Sequence, residues 1–175
     1  MKGKASFKII SAVLCIALLL AAFLYFNNDI GIPKSKIERD IRSSQNIKDS
    51  YLTVGDIQDE MAAFISYDKD KSDHIFSVYV NYPYLSFGYF FRGGGSLSII
   101  DRNIASFTLE NCSQQAFISM NKQKVNMMEI DDGNSVKKKE IESDKPFAVV
   151  LPVNAGIITF YDENGNEVEY IKQRL

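Results

Sequence analysis

The chain carries one histidine, His74, and two cysteines, Cys15 and Cys112. A thiol and an imidazole that meet in space form a thiolate nucleophile with its acid–base partner, so Cys112 and His74 are the candidate catalytic pair. One histidine and so few thiols do not supply a tetrahedral zinc set, and no metal site is expected. Asp68, Asp70 and Ser72 have the early spacing of a calcium loop. That loop also needs glycine at its sixth position and glutamate at its twelfth, where this chain has Asp73 and Tyr79. Asp162, Asn164 and Asn166 repeat the partial pattern, with Glu167 and Gln173 at the two key places. Both stretches read as hairpin turns. Gly93-Gly94-Gly95 is not followed by Gly-Lys-Ser/Thr or by a helical pattern, as a phosphate loop would be. It reads as a flexible hairpin tip, and no cofactor is expected.

Thr108-Leu109-Glu110-Asn111-Cys112 resembles the T-L-x-T-C motif of sortases, which are N-terminally anchored β-barrel cysteine transpeptidases. The resemblance covers five residues, with Asn111 where the family has threonine. It implies Cys112 as nucleophile and His74 as acid–base. Sortases also place an arginine on the following strand to stabilise the oxyanion. Here Ser113 to Val125 contains none, and the next arginine after Arg102 is Arg174.

A second kind of chemistry is recognition. Tyr79, Tyr82, Tyr84, Phe87, Tyr89, Phe90 and Phe91 crowd one short stretch. Alternation places Leu85, Phe87, Tyr89 and Phe91 on one strand face and Tyr84, Ser86, Gly88, Phe90 and Arg92 on the other. The second face, next to Gly93 and Gly94, is the expected binding patch: Tyr84, Phe90, Arg92, Gly93 and Gly94. Aromatic and arginine side chains are favoured at such interfaces. The chain has no tryptophan, which argues against a sugar platform.

What must position these residues starts with the run from Ile9 to Phe26, 18 residues without a charge. As a helix it spans about 27 Å, near the thickness of the hydrocarbon core. Lys2, Lys4 and Lys8 precede it and the first acid, Asp29, follows it. The positive-inside bias therefore expects residues 1–8 in the cytoplasm, 9–26 as a transmembrane signal anchor in membrane lipid, and the remainder outside. A cleaved signal peptide would end in small residues, whereas Ala21 and Ala22 lead into Phe23-Leu24-Tyr25-Phe26. Beyond the run stand 17 Lys and Arg against 22 Asp and Glu. That acidic balance argues against nucleic acid as a partner. With Cys15 in the bilayer and Cys112 outside, no intrachain disulfide is expected, so the fold must hold by packing.

Residues 27–60 read as a stalk with a short helix after Pro33, opened by a Ser35/Glu38 capping box. Ile37 and Ile41 share one face of it. From 61 to 175 the pattern is short runs of Val, Ile, Phe and Tyr between turn residues, which predicts an all-β domain, a sandwich or barrel. Expected strands are 61–67, 74–81, 84–92, 96–100, 104–109, 115–120, 125–130, 135–141, 147–151, 157–161 and 167–171. Asp132-Gly133 and Asn164-Gly165 predict type I′ hairpins, and the short connections predict mainly antiparallel pairing.

The reading that follows is a single-pass envelope protein, N-terminus cytoplasmic, whose outer β-domain is a non-catalytic binding or accessory module for an envelope protein partner. The cysteine transpeptidase is the alternative from a different class. An envelope stress or immunity-type protein is a third.

Overall fold

The computed structural model describes residues 2–26, 31–81 and 88–175, with side chains from 9 to 22 in the first of these. Helix α1 is Lys2–Phe26, and its side chains from Ile9 to Ala22 are exposed. Taken over the described residues, no helix is long and apolar enough to cross a membrane.

Helix α2, Ile37–Ser44, follows a 3₁₀ turn at Lys34–Lys36. Its start differs from expectation. Lys36 stands at the N-cap and makes no side-chain cap bond, so the Ser35/Glu38 box does not form. The preceding 3₁₀ turn places Ser35 inside a helical turn instead of ahead of one. The apolar face is as read: Ile37 and Ile41 are both fully buried. Eight residues make too short a helix to persist alone in water, so packing holds it.

Strands β1 (Leu52–Ile57), β2 (Met61–Tyr67), β3 (His74–Val80) and β4 (Phe90–Gly95) form one antiparallel sheet in that order. After the short helix α3, Ser98–Arg102, come β5 (Ile104–Thr108), β6 (Gln114–Ser119), β7 (Val125–Asp131), β8 (Val136–Glu140), β9 (Phe147–Pro152), β10 (Ile157–Asp162), β11 (Glu167–Val168) and β12 (Tyr170–Arg174). They make two further sheets among the described residues, ordered β12-β5-β6-β9 and β11-β10-β7-β8.

The three sheets stack, and the strand alternation says why. Met61, Ala63 and Ile65 of β2 face the middle sheet, where Phe107, Ile118 and Val150 meet them. The rings of Phe76 and Phe107 stack at 4.8 Å across this gap. The intervening Ala62 and Phe64 face the other way, onto Ile37 and Ile41. Every residue of β2 is therefore buried, as its nearly continuous apolar sequence requires. The middle sheet is likewise covered twice. Its Phe117 and Val149 pack on Met128 and Phe160 of the third sheet.

Several expectations are corrected. Leu52–Ile57, placed in the stalk, is a strand paired along its whole length with β2. Gly93-Gly94-Gly95 is not a hairpin tip but the end of β4, paired with Val78, Ser77 and Phe76. Ser96–Ile100, expected as a strand, leads into α3, and Ile100 is its buried residue. Both Asx-Gly segments do turn hairpins, but with positive φ at Gly133 and Gly165 alone. Type I′ needs it at both central residues. The carboxylates of Asp132 and Asp162 instead hold longer turns by accepting backbone N–H groups. Among the described residues one pair is parallel, β12 on β5. The connection between them runs from β6 to β11 and includes the whole third sheet, where a short turn could not join parallel neighbours. The part of the expected 84–92 strand before Gly88, with Tyr84, lies outside the described residues.

Candidate functional site

Cys112 and His74 are positioned by opposite ends of the same strand pair. Cys112 sits in the β5–β6 turn, its Sγ 3.8 Å from the Glu60 carboxylate. Glu60 immediately precedes β2. His74 opens β3 and pairs with Tyr67, the last residue of β2. Six residue steps separate Met61 from Tyr67, about 20 Å at strand rise. A proton cannot pass between groups that far apart, so the structure does not bring the catalytic pair together. The His74 ring is buried and meets the backbone of Leu97.

The surroundings of Cys112 also oppose a thiolate. Burial pushes the thiol up, and the Glu60 charge beside it adds to the shift. A reactive cysteine needs the reverse, an electropositive and accessible setting. Glu60 itself is occupied by structure. It accepts from the Ser113 backbone N–H and hydroxyl, both at 2.8 Å, and these bonds hold its carboxyl below the usual range. The parallel pairing sets Arg174 beside Thr108, near the five-residue motif. There its guanidinium is 2.9 Å from the Glu110 carboxylate. This arginine stands 66 residues beyond Thr108 in the chain, and only the parallel pairing brings it beside the motif.

The two calcium-like stretches spend their carboxylates on their own turns. Asp68 accepts from the Ser72 N–H at 2.7 Å and the Asp73 N–H at 3.1 Å. Asp162 accepts from Asn164 and Asn166. Hydrogen bonds hold both carboxyls below their ordinary value. Among the described residues no group of three or more His, Cys, Asp or Glu side chains is arranged to hold a metal ion.

Of the expected binding patch, Phe90, Arg92, Gly93 and Gly94 lie on β4, the outermost strand of its sheet, and Tyr84 lies outside the described residues. Val78 pairs with Gly93 and Tyr79 with Phe91. Arg92 is therefore the extra residue of a β-bulge, which bends the strand and re-aims its neighbours. Strict alternation would bury Phe91, but it is 46% exposed, with one edge against the Tyr79 ring at 5.5 Å. Arg92 is exposed, and its guanidinium lies over the Phe90 ring at 5.8 Å. Phe90 is half-buried.

The glycines of β4 are needed for close approach. A Cβ on Gly93 would stand 2.8 Å from the Leu175 side chain, and one on Gly94 2.8 Å from both Gln45 and the Phe76 carbonyl. Ile32 caps the outer backbone edge at Tyr89 with two hydrogen bonds of 2.8 and 2.9 Å. From Phe91 onward no described strand continues the ladder.

The edge strand β8 makes the contrast. It presents Lys137, Lys138 and Lys139, all exposed, the common guard against unwanted strand addition. The edge of β4 has glycine there and an exposed phenylalanine. In comparisons with known proteins, the chain matches no family model, no curated protein and no solved structure.

Proposed function

We propose that the chain is a single-pass membrane protein whose β-domain, outside the cytoplasm, is a non-catalytic docking module of the cell envelope. In this reading residues 9–26 hold the chain in lipid, and β4 accepts an extended segment of an envelope protein partner. The observation that carries the docking role is the edge of β4: rich in glycine, flanked by exposed Phe91 and Arg92, continued by no described strand beyond Phe91, and without the row of lysines that lines β8. Strand addition at such an edge draws affinity from main-chain hydrogen bonds and specificity from flanking side chains. The anchor rests on the uncharged run and on the lysines preceding it. A non-catalytic role is favoured because Cys112 and His74 stand far apart and the thiol is held protonated.

A photoreactive residue placed at Phe91 or Arg92 in intact cells tests the docking role. The expected result is one discrete cross-linked adduct from either position and none from Lys138 on the guarded edge. Equal labelling from all three positions, or no adduct from Phe91 and Arg92, would remove β4 as the docking edge.

A further inference from the structure

Gly31 and Ile32 join the domain at one end of its first sheet. Ile32 pairs with Tyr89, one residue before Phe90, which pairs with Val80. Val80 pairs with Met61, so β2 begins at this same end. Backbone hydrogen bonds trace the end across the layers. The Asn81 N–H donates to the Glu60 carbonyl at 2.8 Å, and the Val153 N–H donates to the Ser113 carbonyl at 2.8 Å. Glu60 and Ser113 are themselves joined by the carboxylate bond. Beyond Val153 the chain turns into Ile157, whose strand partner Asp131 pairs in turn with Val136.

This end carries exposed apolar side chains on two neighbouring turns, the β9–β10 connection between sheets and the β7–β8 hairpin. Ile157 is 71% exposed and Val153 and Val136 are each 51% exposed. The opposite end also exposes Leu52 (49%) and Leu97 (37%), and what separates the two ends is the distance to α1. Phe26 and Gly31 are five residues apart, so the end that holds Gly31 lies within about 18 Å of the end of α1, whatever path the chain takes.

We propose that this end of the domain rests on the lipid surface, with Ile157 and Val153 entering the headgroup region. The inference depends on the membrane-anchor reading of residues 9–26. Apolar side chains at the tips of a tethered domain gain by burial at the headgroup boundary, and the tether removes most of the cost of bringing them there. Asp131 is the strand partner of Val136 and Asp132 follows it in the same hairpin, so the surface that fits is zwitterionic.

The absence of tryptophan makes a single introduced indole a clean probe. The full chain is reconstituted in phosphatidylcholine vesicles with and without brominated acyl chains. Ile157→Trp and Val153→Trp report this end, Leu52→Trp the opposite end, and Leu18→Trp the helix. The expected result is loss of emission on bromination for Leu18→Trp and for Ile157→Trp and Val153→Trp, with Leu52→Trp unchanged. Quenching of Leu18→Trp without Ile157→Trp or Val153→Trp overturns the inference and leaves the anchor standing. An unquenched Leu18→Trp overturns the anchor itself. A blue-shifted but unquenched Ile157→Trp assigns the tips to protein, such as a second copy of the chain, and also overturns the inference. Equal quenching of Leu52→Trp removes the preference for one end.

Discussion

Phe117→Ala is expected to cost the domain about 3–5 kcal/mol, the range for removing a fully buried phenylalanine. Phe117 lies on β6, between β5 and β9 in the middle sheet. Its ring points toward the third sheet, 5.3 Å from the Phe160 ring and 5.1 Å from the Tyr170 ring. Phe160 belongs to β10 and Tyr170 to β12, so one side chain joins the third sheet to the strand that closes the middle one. The hole left by alanine is bordered by backbone in two sheets. Neither sheet can collapse into it without breaking ladder hydrogen bonds, so relaxation recovers little. Urea unfolding of the full chain in mild detergent measures the loss, and Phe117→Leu should lose less because most of the volume stays. A change below about 1 kcal/mol for the alanine variant would mean that the middle and third sheets are not packed as described.

Gly88→Ala is expected to be the most damaging single change at the junction between anchor and domain. Gly88 has φ of +99°, a conformation glycine adopts freely and other residues rarely. The backbone of Gly31 passes so close that a Cβ on Gly88 would stand 2.8 Å from the Gly31 carbonyl carbon and 2.8 Å from the Ile32 carbonyl oxygen. A Cβ on Gly31 would collide reciprocally, 2.8 Å from the Gly88 carbonyl carbon. These are backbone atoms with no rotamer to yield. The cheapest relief is to give up the Ile32–Tyr89 pair of hydrogen bonds, at about 1–3 kcal/mol in strain and lost bonding. The three-sheet core should survive, because that bridge is peripheral to it. Hydrogen exchange should then rise at Ile32 and Tyr89 while the β2 amides stay protected. Gly31→Ala combined with Gly88→Ala should cost less than the sum, since the first change already breaks the contact. Full additivity would mean that the two glycines do not touch.

These two positions also mark where the sequence was legible. The strands read from apolar alternation are present because each buries its apolar face. Thus 61–67 and 74–80 appear with Phe76, Val78 and Val80 inward, and the pattern from 104 to 161 gives β5 through β10. Ile37 and Ile41 read as one helical face and pack as one. Two of the misreadings depended on distant chain, and the others have local causes. Three consecutive glycines look like a turn unless Leu175 and Gln45 are known to press on them. The five residues of α3 are too few to show a helical period. The parallel partner of β5 lies beyond an entire intervening sheet. Phe91 keeps the face of its strand partner Tyr79, but at the sheet edge only one side of its ring is covered and it stays 46% exposed. The candidate site was legible in part. Phe90, Arg92, Gly93 and Gly94 do fall together on an edge strand, whereas Cys112 and His74 fall at opposite ends of β2. Sequence separation alone cannot show which residues share a strand end.

The most direct measurement of the central proposal is a pair of fusions at Leu175 in growing cells. One carries a phosphatase that folds only outside the cytoplasm and the other a fluorescent protein that matures only inside it. With residues 9–26 in the bilayer and the three preceding lysines in the cytoplasm, the phosphatase fusion should be active, the fluorescent fusion dark, and the chain recovered with membranes. A bright fluorescent fusion with an inactive phosphatase, or full-length chain in the soluble fraction, would contradict it.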